Sequence, residues 1–211
     1  MKILFAILIV SFSFIFASAQ NEQAPIVEKD FAYKDWVYKN VKTGTDMNLR
    51  KFMFGKKLVM VVYFAPWCPN WKHDAAFVQG LYEKYKGNGF DVIGVGEYDP
   101  VDAMKAHLET YKITFPAVYE SALRTDKDKT LHYEYRKAAG DSRKWGSPWY
   151  VFLEPEKLEK RGLILSKKAN VVNGELIKDQ AESFIRTKLG LAAVEAKTAV
   201  AEAKTTAFVK P

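Results

Sequence analysis

A single thiol dominates the reactive chemistry of this 211-residue chain: Cys68 is its only cysteine, set in Trp67-Cys68-Pro69-Asn70-Trp71. One cysteine rules out an intramolecular disulfide and leaves a free thiol or an intermolecular bond. A thiol where a strand hands over to a helix meets the unpaired N–H groups of the helix start. These favour the thiolate, the form that attacks disulfides. Free cysteine also packs as a small hydrophobe, but Pro66-Trp67 before it and Pro69 after it suit an exposed turn better than a core. His73, His107 and His132 are scattered and each reads as a surface residue. His73, five residues after the thiol, falls about 140° around a helix from it, which disfavours a Cys–His nucleophile pair. Gly87-Asn88-Gly89 reads as a loop, and no glycine pattern for phosphate is present. No metal site and no cofactor are expected.

The elements that must hold Cys68 are legible around it. Leu58–Phe64 is a continuous apolar run rich in β-branched residues, the signature of a strand covered on both faces. After the thiol, Phe77, Leu81 and Tyr85 recur at helical spacing and stop at the glycine loop. Residues 90–95 read as a second strand, and 100–111 as a helix with Asp99 as its N-cap. Phe115-Pro116-Ala117-Val118-Tyr119 is a short apolar segment, while 120–145 are charged and poorly patterned, with some helix expected. Trp149–Leu153 is a third strand, and its antiparallel partner begins at 162–165. Asn173-Gly174 turns the chain into a last amphipathic helix carrying Ile177, Ala181, Phe184, Ile185 and Leu189. Upstream, 36–48 read as a hairpin with a glycine turn. Parallel strands joined by helices, then an antiparallel end, predict an α/β/α sandwich on a mixed sheet with an N-terminal hairpin extension.

The ends read differently. Met1-Lys2, an apolar stretch to Phe16 and Ala17-Ser18-Ala19 have the form of a secretory signal peptide. Residues 1–19 are therefore expected to be removed on export, 20–35 to be a loose leader, 36–190 to be the folded domain and 191–211 a low-complexity tail. Export predicts a periplasmic or secreted protein with no stable membrane span after cleavage. The absence of an Asn-X-Ser/Thr sequon favours a bacterial envelope. The formal net charge is +7, but basic and acidic side chains are interspersed. That pattern describes a solvated surface and excludes a nucleic-acid stripe.

Residues 58–74, an apolar strand, Trp-Cys-X-X and a helix, resemble the active-site segment of TlpA/ResA-type thioredoxin-like proteins, a redoxin family. The resemblance extends over about 36–189. It implies a thioredoxin fold and thiol-disulfide oxidoreductase chemistry at Cys68. Thr114-Phe115-Pro116 matches a segment common in that family. Gly146-Ser147-Pro148 resembles the family's cis-proline loop, whose backbone pairs with a substrate peptide beside the sulfur. By the same resemblance Trp67, Trp71, Ser147 and Pro148 would line the substrate site, and Glu97 would be the acid/base near the thiol. Partners would be exported protein thiols or disulfides, with a low-molecular-weight thiol as co-reactant.

The departures are informative. Trp71 stands where the second cysteine belongs, Asp74 where an acidic residue is common, and Ala76 where a helix-kinking proline is frequent; 120–145 exceed the usual connection. In a dithiol site the second sulfur releases the mixed disulfide formed by the first, and tryptophan cannot do so. Turnover then needs an external thiol, and without one Cys68 forms a lasting mixed disulfide or is oxidised toward sulfenic acid. Trp71 is read as a stacking group for substrate or as a cap over the helix start. Peroxiredoxins share the fold, but their Pro-X-X-X-Thr-X-X-Cys pattern finds Val61 and Ala65 here. Copper delivery by a related family needs two cysteines and a histidine. A redox-silent binding module using the proline loop is the alternative reading.

Overall fold

The computed structural model describes residues 22–192. The expected signal peptide and nearly all of the expected tail lie outside the described residues. In chain order the first strands are β1 (Gln23–Ala24), β2 (Val27–Lys34), β3 (Val37–Asn40) and β4 (Asp46–Asn48), followed by a short helix α1 (Leu49–Phe52). The centre of the fold is β5 (Leu58–Phe64), α2 (Pro69–Tyr85), β6 (Phe90–Gly96), α3 (Val101–Thr110) and β7 (Ala117–Tyr119). It closes with α4 (Leu131–Ala138), β8 (Trp149–Leu153), β9 (Ile164–Val172), β10 (Glu175–Leu176) and α5 (Lys178–Leu189).

Eight strands form one sheet in the order β2-β9-β8-β5-β6-β7-β3-β4, while β1 pairs with β10 in a separate two-stranded ribbon. β5, β6 and β7 run parallel; β8 is antiparallel to β5, and β9 to β8. Every residue of β5 is buried, and successive side chains enter opposite layers. Leu58, Met60, Val62 and Phe64 pack with α2, α3 and α5. Val59, Val61 and Tyr63 pack with Leu49 of α1, Tyr135 of α4 and the aromatic residues of β2. Two cores on the two faces of one mixed sheet make the three-layer α/β/α sandwich of a thioredoxin fold. The hairpin β3–β4 extends the sheet as expected. Among the described residues no helix is long and apolar enough to cross a membrane.

Two expectations are corrected. Residues 27–34 are not a loose leader: β2 pairs antiparallel with β9 and buries Phe31 and Tyr33. Its other face carries Glu28, Asp30 and Lys34, as an edge strand tolerates, and that polarity masks the strand. Asp99 does not cap α3. Pro100 is the N-cap and no side chain bonds the helix start; proline fixes the backbone angle without a capping bond.

Candidate active site

Cys68 is the N-cap residue of α2, with Pro69 at the first helical position. Its N–H donates to Ala65 O at 2.9 Å and its carbonyl accepts from Lys72 N at 3.1 Å, so the sulfur is carried by a closed turn. The side chain is only 6% exposed. Its thiol donates to the backbone carbonyl of Ser147 at 3.1 Å. Ser147 Oγ in turn accepts from Ala65 N–H at 2.9 Å. The Ser147–Pro148 peptide is cis. The structure therefore brings together the thiol turn and the proline loop, which lie 79 residues apart in the chain.

α4 and the segment around it hold that loop. His132 is fully buried, stacks on Tyr63, and donates from Nε2 to Gly146 O at 3.1 Å while Nδ1 accepts from Tyr98 OH at 3.0 Å. Burial and the nearby Arg136 charge push its pKa well below the usual histidine value, which keeps this neutral arrangement. The Arg136 guanidinium, also buried, donates to Arg143 O at 2.6 Å and Lys144 O at 3.2 Å. Gly146 has φ +60°, and a Cβ there would collide with the Arg136 side chain. The long segment 120–145 thus serves as a clamp on the loop beside the sulfur.

Trp67 is half-buried next to the thiol. Its indole N–H donates to Tyr98 O at 3.3 Å, its ring meets Trp145 edge to face at 5.1 Å, and Arg124 lies over it at 4.8 Å. These aromatic and cationic groups form a platform beside the site. A shallow cleft of about 300 Å³ runs from Pro66 and Trp67 to Lys72, His107 and Tyr111.

Trp71 is not a docking group. It is 0% exposed, packs against Phe64, and donates from its indole N–H to His107 Nε2 at 2.7 Å. The position of a second sulfur is filled by core. His107 and His132 are likewise buried, not surface residues. Burial, helped by Lys72, lowers the His107 pKa to about 4, so its ring stays neutral and Nε2 is free to accept. Glu97 lies 0% exposed with neither carboxylate oxygen hydrogen-bonded. Burial and the Glu120 charge push its pKa well up, against Arg136. Among the described residues it makes no hydrogen bond to Cys68.

Asp74, six residues beyond the thiol, is a fully buried acid of α2. Its Oδ2 accepts from Tyr150 OH at 2.7 Å and Leu176 N–H at 2.8 Å, tying α2 to β8 and β10. Burial raises its pKa against those bonds. The matching signal was its position in the resemblance; Tyr150, on β8, had none.

Comparison with known proteins agrees with this architecture. The chain is 30% identical over 114 residues to a chloroplastic peroxiredoxin Q of Populus jackii, covering 54% of this chain and 48% of that protein. It is 24% identical over 115 residues to the thiol-disulfide oxidoreductase ResA of Oceanobacillus iheyensis, covering 54% and 60%. The chain thus spans about half the length of these curated relatives. The thioredoxin domain of a thiol-disulfide oxidoreductase from Bacteroides vulgatus superposes with a TM-score of 0.55 at 16% identity, covering 76% of this chain and 97% of that one. The AhpC/TSA family model matches residues 23–165, from β1 through the thiol turn and the proline loop into β9. The chain belongs to the AhpC/TSA family, as a thioredoxin-like redoxin with a single cysteine.

Proposed function

We propose that this protein is an exported monothiol redoxin that exchanges disulfides through Cys68 and depends on an external thiol. The observation that carries the reading is the pairing of Cys68, at the start of α2, with the Ser147–Pro148 loop, while Trp71 fills the second sulfur's position. The Cys68 thiolate attacks a disulfide R–S–S–R′; a bond forms from Sγ to one sulfur and the other leaves as R′S⁻. Before the attack the Sγ proton passes to solvent water, and Ser147 O, no longer bonded by the thiol, accepts from a substrate backbone N–H. An external thiolate then attacks the mixed disulfide and restores Cys68, because no second sulfur of this chain can. Trp67 and Pro148 flank the incoming chain, and substrates are exported protein disulfides.

The position of Glu97, facing Glu120 and Arg136, supports a structural role over proton transfer at the sulfur. Val61 and Ala65 in place of the peroxiredoxin proline and threonine favour disulfide over peroxide as the oxidant. One observation favours the redox-silent alternative: the 6% exposed sulfur donates to the very carbonyl a substrate would use. Incubating reduced protein with oxidised glutathione and weighing the product separates the two. The proposal expects one glutathione per chain, released by excess reductant and absent in Cys68→Ser. No adduct on the folded protein, with adduct forming after denaturation, would establish the silent reading.

A further inference from the structure

The buried Asp74 has a second oxygen that the fold leaves unused. Oδ2 is fully engaged by Tyr150 and Leu176, but Oδ1, on a side chain that is 0% exposed, has no hydrogen-bond partner. It is aimed at His73 Nδ1, 3.5 Å away, and the same nitrogen lies 3.4 Å from Glu175 Oε2. Ligand atoms of His73, Asp74 and Glu175 all fall within 4.8 Å of one another. Separations of 3.4 and 3.5 Å are long for nitrogen–oxygen hydrogen bonds. They match the edge of a zinc coordination tetrahedron, about 3.3 Å for bonds of about 2.0–2.1 Å.

We propose that His73, Asp74 and Glu175 form a site for a divalent transition-metal ion of the zinc class, apart from the thiol. One imidazole and two carboxylates are a borderline-hard donor set suited to such ions and leave at least one position for water. The two acids are held before any ion arrives. Leu176 N–H holds Asp74 Oδ2, which fixes α2 to β10, and Glu175 N–H donates to Glu22 O at 3.0 Å, which fixes β10 to the chain entering β1. Gly174 permits this approach, since a Cβ there would collide with the Glu22 carbonyl. His73 is the exposed ligand and the way in: its side chain is 51% exposed, against 0% for Asp74 and 7% for Glu175.

The test titrates the untagged full chain with Zn²⁺ by calorimetry and with Co²⁺ by visible absorption. The site predicts one saturable ion per chain at micromolar concentration, about −8 kcal/mol, with Co²⁺ absorption displaced by Zn²⁺. His73→Ala, on the surface and harmless to the fold by circular dichroism, weakens binding at least about tenfold, as does Glu175→Gln. Cys68→Ser leaves it unchanged. No saturable binding, binding that survives both substitutions, or binding lost in Cys68→Ser would overturn the proposal.

Discussion

Trp71 separates a packing role from a docking role in free energy. The obvious perturbation is Trp71→Cys, which rebuilds the two-thiol spacing. The structure expects it to be costly. The indole is fully buried between Phe64 and α3 and donates to His107, so the change removes most of a large side chain and leaves Nε2 of His107 without its donor. Large-to-small core changes of tryptophan cost about 3–5 kcal/mol, and an orphaned buried acceptor costs about 1–3 kcal/mol. Since a domain is stable by only about 5–15 kcal/mol, Trp71→Cys should leave little margin. Trp71→Phe keeps most of the contact and loses only the N–H bond, so about 1–3 kcal/mol is expected. Urea unfolding followed by far-ultraviolet circular dichroism, under reducing conditions, measures both. A surface docking residue would shift stability by less than about 0.5 kcal/mol. If Trp71→Cys unfolds within about 1 kcal/mol of the wild type, the core assignment is wrong.

Other outcomes follow from the same contacts. His107 has a folded pKa lowered to about 4, so its stabilising effect is complete above about 6.5 and is lost as the pH falls toward 4; the acids raised by burial change stability in the opposite sense. Comparing His107→Gln with the wild type cancels the acids, and the wild type should lose about 2–3 kcal/mol more between pH 7 and 4.5; parallel pH profiles would contradict the buried neutral ring. Gly146→Ala should lower the unfolding free energy in urea by at least about 1 kcal/mol, from its positive φ alone and more from Arg136, whereas Gly80→Ala, on the exposed side of α2 with open space at its Cβ, should raise stability by about 0.5–1 kcal/mol. Equal effects at the two glycines would refute the clamp on the proline loop.

What the sequence made visible follows a physical rule. β5, β6 and β8 are covered on both faces, so their apolar runs declare themselves without ambiguity. The thiol turn and the proline loop carry residue types that only a few backbone geometries use. β2 was hidden because an edge strand keeps one face in water. The burial of His107 and His132 was hidden for a different reason. A lone histidine has no periodic signature, and its environment comes from residues such as Trp71, 36 positions away, and Gly146, 14 positions away. The same holds for Glu175, which meets Asp74 only through the closing strand β10. Trp71 could be read as a docking group or a helix cap because its neighbours in the motif belong to a turn, yet as the third residue of α2 it already faces the core.

The central claim, that one sulfur makes turnover depend on a borrowed thiol, is tested most directly by counting. Reduced protein is mixed with an excess of a chromogenic disulfide, with and without reduced glutathione, and released thiol is counted per chain above a protein-free glutathione control. One equivalent without glutathione, many with it, and none from Cys68→Ser is the predicted result. Many equivalents without any added thiol, or no first equivalent at all from the folded protein, would contradict it.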